Sequence, residues 1–174
     1  MTTIVFKKGI LAADTLAVVG ASTTYLVETA KIHMSSCKRF AWGTSGAVVD
    51  PDYLPEFERL MFAHLMDVSG KDPKRVEMPK DLAELILKRD FIVMCKDIVY
   101  ARADKDKGTM AKVLAGEHVA IGTGRERANV AMMAGLGAQD AVMHAMSTDF
   151  FTYPGDITVI KQSSLKAMPK EIKG

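Results

Sequence analysis

The spacing of hydrophobic residues changes its period four times along this 174-residue chain, and that succession limits the folds open to it. Strand-like runs fill the first quarter, apolar residues then recur at helical spacing, and the same succession repeats before a final strand. This order, within one domain, predicts an α+β fold: a four-layer αββα sandwich with two antiparallel sheets between helix layers. We see no linker or internal repeat, so residues 1–174 are predicted to form a single domain.

The boundaries of these elements come from local signals. Proline follows Asp50, and Asp81 and Glu84 have capping-box spacing, so both positions are predicted helix starts. Further helices are predicted from Arg125 to about Ala134 and from about Ala138, whereas 69–79 is a predicted polar loop and the tail after 161 is expected to be loosely ordered. The predicted strands are Thr3–Lys7, Ile10–Thr15, Lys31–Cys37, Arg39–Trp42, Phe91–Cys95, Ile98–Arg102, His118–Ile121 and Ile157–Lys161.

Composition excludes several functional classes. A net charge of +2 gives no basic surface for nucleic acid. No apolar stretch approaches the ~20 residues that span a bilayer, and no signal peptide is recognisable, so we expect a soluble, cytoplasmic protein without a membrane partner. Cys37 and Cys95 lack metal-ligand spacing and are expected to be reduced core thiols, with a disulfide left open. No nucleotide, cofactor or metal motif is present, so none of these groups is expected.

The first two residues offer a specific chemistry. A small residue in the second position generally permits removal of the initiator methionine, which would leave Thr2 as the N-terminus. A terminal threonine carries a hydroxyl nucleophile and a free α-amine, whose pKa of roughly 7.7–8.0 allows it to act as a base near neutrality. Most residues in this position are only exposed termini, so the hypothesis depends on the rest of the chain.

Six short motifs in one order supply that support. The motifs are Thr2-Thr3-Ile4-Val5, Ala12-Ala13-Asp14, Ala30-Lys31-Ile32, Trp42-Gly43-Thr44-Ser45-Gly46, Ile121-Gly122-Thr123-Gly124 and Gly155-Asp156-Ile157. Their order and spacing resemble the N-terminal-nucleophile hydrolases of the proteasome β-subunit and bacterial HslV peptidase family, over nearly the whole chain except about 69–116. Ala13-Asp14-Thr15 is closer to proteasome β-subunits than to HslV, so the subfamily stays open.

The resemblance implies a catalytic set. Thr2 would be the nucleophile and, through its amine, the proton acceptor. Lys31 would lower the pKa of that amine, and Asp14 would hold Lys31 charged and oriented. Gly43 is similar to the family glycine whose N–H binds the oxyanion.

The resemblance also implies supporting residues. Thr123 stands where the family usually has serine. Asp149 and Thr152 resemble the acid and hydroxyl residue that support the nucleophile, although the segment can also be aligned with Asp156 as the acid. The implied substrate pocket is mostly small and apolar, with one histidine that could favour polar or acidic groups. Its residues are Ala17, Val18, Thr29, His33, Ala41 and Ser45.

The resemblance therefore implies a threonine endopeptidase without a cofactor. It further implies two stacked hexameric or heptameric rings of this chain, fed with unfolded protein or peptide by an AAA+ ATPase unfoldase. Two other functions stay open: a non-catalytic ring-forming subunit of the same fold, and an N-terminal-nucleophile amidase that acts on a small amide. The subunit is disfavoured because a purely structural protein has no need of Thr2, Asp14 and Lys31 together.

Overall fold

The computed structural model describes residues 2–19, 25–45, 51–69, 71–86, 89–104, 108–147 and 155–169. Strands and helices alternate in these ranges in the predicted succession. The strands are β1 (Thr3–Lys7), β2 (Ile10–Asp14), β3 (Leu16–Val19), β4 (Tyr25–Glu28), β5 (Ile32–Met34), β6 (Phe40–Ser45), β7 (Arg75–Glu77), β8 (Asp90–Cys95), β9 (Val99–Asp104), β10 (Thr109–Lys112), β11 (His118–Gly122) and β12 (Ile157–Lys161). The α-helices are α1 (Leu54–Val68), α2 (Lys80–Ile86), α3 (Arg125–Met133) and α4 (Ala138–Ser147).

Two antiparallel sheets form the centre of the molecule. The four-stranded sheet has the order β11-β1-β2-β12, and the six-stranded sheet has the order β5-β6-β8-β9-β10-β7. Strands β3 and β4 pair separately as a hairpin. The sheets are antiparallel because short turns, such as the one at Lys8 and Gly9 with positive φ angles, join neighbouring strands directly.

Three apolar clusters separate four layers. Ile4 and Phe6 of β1 pack between the sheets, whereas Val5 packs against α3 and α4 on the outer face. On the other side, Phe40 and Trp42 of β6 belong to the cluster covered by α1 and α2. Both central sheets are thus buried on two faces, which confirms the predicted αββα sandwich.

A half-buried lysine fastens the outer helix layer to β1. Lys7 Nζ donates to the carbonyl oxygens of Met132 and Leu136, at 2.6 and 2.8 Å. These oxygens lie at and just beyond the C-terminal end of α3, where helix carbonyls lack intrahelical partners and a cation interacts favourably with the helix dipole. The last residue of β1 is therefore held against the layer formed by α3 and α4.

Several elements differ from the prediction. The predicted loop at 69–79 contains β7, and β3, β4 and β10 were not predicted, because these short strands carry little hydrophobic alternation. The tail after 161 is not loosely ordered within the described residues, which end at 169: Leu165 is buried, and the Lys166 N–H donates to the Lys38 carbonyl. Of the two cysteines, which are both free, Cys95 is buried and Cys37 is exposed. No helix within the described ranges has the length and apolarity needed to cross a membrane.

Candidate active site

The predicted catalytic residues meet where several strands of the two sheets begin or end. We call this the site end: β1 begins there, and β2, β6 and β11 finish there. Thr3 pairs with Gly122 across β1 and β11, which brings the start of the chain to the end of a later strand. The six-stranded sheet reaches the same place, since Ser45 Oγ lies 3.1 Å from the point that a Cβ on Gly122 would occupy.

A buried ion pair lies beneath the start of β1. The Lys31 ammonium donates to Asp14 Oδ2, and the two side chains are only 6% and 1% exposed. Asp14 Oδ1 also accepts a hydrogen bond of 2.6 Å from the Thr3 N–H. Burial lowers the pKa of Lys31 below its usual 10.5, whereas the negative charge of Asp14 and the hydrogen bond to it oppose that shift. The structure thus brings Asp14 and Lys31 together directly behind the Thr2–Thr3 peptide.

The Gly122-Thr123-Gly124 loop closes over the same peptide. The Thr2 nitrogen donates to Thr123 Oγ1 at 3.1 Å, and the Gly124 N–H donates to the Thr2 carbonyl at 3.3 Å. Neither glycine has room for a side chain: a Cβ on Gly122 would lie 2.1 Å from the Thr2 oxygen, and one on Gly124 would lie 2.0 Å from Thr3 Oγ1. Gly122 also has a φ of +92°, which favours glycine. The two glycines therefore allow the Thr123 hydroxyl to reach the Thr2 nitrogen.

Gly43 lies in the interior of the six-stranded sheet. It pairs with Ile32 on one side and Ile92 on the other, so its backbone belongs to the hydrogen-bonded ladder. A Cβ there would lie 2.9 Å from Ile32 Cγ2 and 3.2 Å from two atoms of Ile4. This placement favours close packing between the sheets over the predicted oxyanion role.

The predicted pocket residues separate into different environments. Ala41 is completely buried in the intersheet cluster, so it belongs to the core and does not offer a surface to substrate. Ser45 faces Gly122 at the site end. Ala17 and Val18 lie on β3, and Thr29 follows β4 and donates its N–H to the Thr15 carbonyl. The β3–β4 hairpin therefore joins the strand that carries Asp14 to the residue two positions before Lys31.

His33 lies on the helix-covered side of the six-stranded sheet. Its ring stacks on Trp42, with centroids 4.5 Å apart. Burial lowers its pKa from the usual 6.5, against the opposing effects of Glu58 and of a hydrogen bond with the Ala30 backbone. His33 is thus held two residues beyond Lys31 by an aromatic contact that the sequence alone did not reveal.

The predicted supporting pair lies outside the described residues. This applies to both Asp149 and Thr152. The alternative acid, Asp156, is exposed, and its backbone carbonyl accepts hydrogen bonds from Thr15 N and Thr15 Oγ1 at 3.1 and 3.0 Å. These bonds hold the strand that carries Asp14 against the start of β12.

Sequence reasoning overlooked two participants. These are the Thr3 N–H, which fixes Asp14, and the glycines on either side of Thr123. The Gly-Thr-Gly pattern at a predicted strand end did indicate a role for the glycines, because a backbone without side chains lets another segment of the chain lie close to it. A backbone N–H carries no sequence signal. Within the described ranges, no cluster of three or more His, Cys, Asp or Glu residues is placed to hold a metal ion.

The chain is similar to known proteins in structure, whereas no family model and no curated protein sequence matches it. Eukaryotic HslV from Trypanosoma brucei superposes with a TM-score of 0.60 and 19% identity, over 92% of this chain and 99% of that one. A bacterial proteasome homologue from Thiobacillus denitrificans gives 0.55 and 18%, over 93% and 98%, and its complex with epoxomicin gives 0.51. The chain therefore has the N-terminal-nucleophile hydrolase fold of HslV and bacterial proteasome homologues, as the resemblance implied.

Proposed function

We propose that this chain is a threonine endopeptidase subunit of a self-compartmentalising protease, with Thr2 as its nucleophile once Met1 is removed. One observation carries the proposal: the Thr2 nitrogen lies 3.1 Å from Thr123 Oγ1, and the N–H of the next residue, Thr3, donates to the Asp14 carboxylate that is paired with Lys31. In the processed chain the Thr2 nitrogen would be the α-amine, beside a hydroxyl and one residue from the contact with the buried ion pair. This is the environment that the chemistry of a terminal threonine requires.

The proposed reaction proceeds through an acyl-enzyme. The Thr2 hydroxyl oxygen attacks the peptide carbonyl carbon, and its proton passes to the Thr2 amine, directly or through water. The tetrahedral intermediate then expels the amine of the leaving peptide, which takes a proton from the Thr2 ammonium. Water attacks the resulting ester, with the Thr2 amine again as base, and releases the acid product and free Thr2.

The surrounding residues would tune these steps. The positive charge of Lys31 disfavours a second positive charge on the amine, so it would lower the pKa of the amine and keep more of it basic at neutral pH. Asp14 would hold Lys31 in place, and the Thr123 hydroxyl would orient the amine. Asp149 and Thr152 keep the supporting role that the resemblance implies. Gly43 is not given the oxyanion role in this mechanism.

The assembly is part of the same proposal. The fold shared with HslV and the bacterial proteasome homologue supports stacked rings of this chain, either hexameric or heptameric. We propose that an AAA+ ATPase delivers unfolded protein to their interior, in the cytoplasm. The pocket would be lined by Ser45, Thr29, His33 and the β3 residues Ala17 and Val18.

Two other functions compete with this one. A non-catalytic ring subunit would have no use for a lysine and an aspartate buried at a strand start, since burial of an ion pair is costly and contributes little net stability. An N-terminal-nucleophile amidase would use the same residues on a smaller substrate. The buried pair disfavours the first of these alternatives and is neutral on the second.

Turnover with matched variants separates the three functions. We expect the purified protein, mixed with its ATPase or alone, to cleave casein or fluorogenic peptides and not small amides such as glutamine. Thr2→Ala should abolish cleavage and preserve the ring by native mass spectrometry, whereas Thr2→Ser should retain part of the activity. Turnover of small amides alone would favour the amidase, and substantial peptidase activity in Thr2→Ala would refute the mechanism.

A further inference from the structure

A second ion pair joins the start of α3 to the six-stranded sheet. Side chains along β8 alternate between its two faces: Phe91 packs under the helices, and Ile92 packs between the sheets. Asp90 precedes them and so falls on the intersheet face. Its cross-strand partner on β6 is Ser45, which lies on the same face, two residues beyond Gly43.

The Ser45–Asp90 pair faces the start of the chain across the two sheets. The point that a Cβ on Gly122 would occupy is 3.1 Å from Ser45 Oγ and 2.1 Å from the Thr2 carbonyl oxygen. Ser45 therefore lies beside the Thr2–Gly122 contact, and Asp90 lies one strand further along the same sheet.

Arg125 connects this strand to the loop over Thr2. It is the first residue of α3 and follows Gly124 directly. Its Nη1 lies 4.0 Å from Asp90 Oδ2, and the side chains of Arg125 and Asp90 are 52% and 17% exposed. The pair thus reaches from the helix that follows the four-stranded sheet to the first residue of β8 in the six-stranded sheet.

We propose that Arg125 and Asp90 are positioning residues, which fix the Gly122-Thr123-Gly124 loop against Thr2 and set the electrostatic potential at the Thr2 nitrogen. The glycines offer only backbone contacts, so the position of the loop depends also on its flanks. The β1–β11 ladder holds one flank; on the other, Ala128 and Ala131 of α3 pack with Val5, and Arg125 at the start of the helix lies beside Asp90. The consequences for rate rest on the proposed function, whereas the electrostatic effect on the amine does not.

Because Arg125 and Asp90 carry opposite charges, the removal of each should shift the pKa of the Thr2 amine in the opposite direction. Removal of Arg125 alone leaves the Asp90 carboxylate, which favours a protonated amine and raises its pKa. Removal of Asp90 alone leaves the Arg125 guanidinium, which lowers that pKa. Among the described residues, the ionisable side chains that the elements around Thr2 carry at this end are Asp14 on β2, Lys31 before β5, Arg89 and Asp90 at the start of β8, Arg125, Glu126 and Arg127 at the start of α3, and the exposed Asp156 before β12. Lys7 and His118 lie at the opposite ends of β1 and β11.

The first test measures the amine itself. The full chain would be released from an N-terminal ubiquitin fusion so that Thr2 is the first residue. The pKa of its amine would be obtained from the pH dependence of its acetylation by acetic anhydride, at low ionic strength, by peptide mass spectrometry. We expect Arg125→Met to raise this pKa, Asp90→Asn to lower it, and the double variant to return it towards the wild-type value.

A matched control removes the same charge elsewhere. Arg59 on α1 forms an exposed pair with Glu56, in the helix layer beyond the six-stranded sheet. Arg59→Met should leave the pKa of the amine unchanged. Shifts of equal sign in Arg125→Met and Asp90→Asn, or no shift in either folded variant, would overturn the inference.

The second test measures catalysis in the same variants. The acid limb of the kcat/KM profile should move to higher pH in Arg125→Met and to lower pH in Asp90→Asn. Displacement of the Thr123 hydroxyl should also reduce kcat in Arg125→Met about tenfold, with KM little changed, and Arg125→Lys should recover part of it. If the variants show the pKa shifts and the wild-type chain cleaves no peptide, the proposed function is refuted and the electrostatic role stands. If the variants cleave peptide normally and the pKa of the amine does not move, the roles inferred for Arg125 and Asp90 are refuted and the proposed function stands.

Discussion

Two lysine–aspartate pairs in this chain have the same chemistry and opposite surroundings. The side chains of Lys31 and Asp14 are 6% and 1% exposed, whereas those of Lys71 and Asp67 are 65% and 70% exposed. An exposed pair at a helix end contributes little to stability, because water and salt screen it. A buried pair loses its hydration, so apolar residues of similar volume in its place would often make the protein more stable. The comparison indicates that burial of Lys31 and Asp14 serves the site more than the stability of the fold.

We expect the largest effect when one member of the buried Lys31–Asp14 pair is removed. Lys31→Met should leave the Asp14 carboxylate buried with only the Thr3 N–H among the contacts described above, which costs about 3–5 kcal/mol of unfolding free energy. The same variant should lose peptidase activity. Lys71→Met is the matched control and should leave the denaturation midpoint close to that of the wild type, because water already screens the exposed pair. Denaturant unfolding measures both, and equal effects in the two variants would contradict the comparison.

A second contrast concerns glycines in crowded and open positions. A Cβ on Gly124 would lie 2.0 Å from Thr3 Oγ1, whereas a Cβ on Gly137 would have its nearest neighbour at 3.7 Å. Gly124→Ala should therefore displace the loop over Thr2, cost about 1–3 kcal/mol and reduce kcat. Gly137→Ala should leave thermal stability and kcat near wild type. A Gly124→Ala protein with unchanged melting temperature would show that the loop has more room than the structure indicates.

A buried histidine should make stability depend on pH. His64 on α1 is buried, and burial lowers its pKa from the usual 6.5, although Asp67 opposes the shift. Its folded pKa lies below its unfolded one, so the unfolded state binds protons first as the pH falls. The stabilisation is complete above about pH 6.5 and is lost as the pH falls towards the folded pKa. Urea unfolding between pH 7.5 and 5 should show a smaller loss in His64→Gln than in wild type; parallel curves would rule out this contribution.

The smallest effect contrasts the two thiols. Burial raises the pKa of Cys95 to about 12, and Cys37 is exposed. Because the thiolate is the reactive form, iodoacetamide at pH 8 should modify Cys37 in the native protein and leave Cys95 intact until denaturant is added. Peptide mass spectrometry gives the extent at each position. Equal native modification would indicate that the six-stranded sheet opens readily.

The sequence predicted the fold where periodicity is strong, and β1 has its predicted limits, Thr3–Lys7. It did not reveal which face each residue of a doubly buried strand takes, because apolar residues on both faces remove the alternation. This explains Ala41, which is core, and Gly43, which packs against Ile4. Thr123 was assigned through the family resemblance, and the turn signal of the glycines on either side of it agrees with the strand end found there.

The site depends mainly on contacts between residues distant in sequence. The pairing of Lys31 with Asp14 came from a family resemblance, since neither residue alone differs from a surface charge in the sequence. The Arg125–Asp90 pair had no such signal, because its members are 35 positions apart on elements whose relative placement only the folded chain defines. Strand register and layer packing thus carry the information that periodicity lacks.

The central claim is that Thr2 is a free, activated nucleophile. Intact mass of the purified protein, before and after incubation with a peptide epoxyketone, tests it directly, because this reagent needs both the hydroxyl and the amine of a terminal threonine. We predict a mass that lacks Met1 and a single stoichiometric adduct, absent in Thr2→Ala. A mass that retains Met1, or a processed chain that stays unmodified with and without its ATPase, would contradict the account.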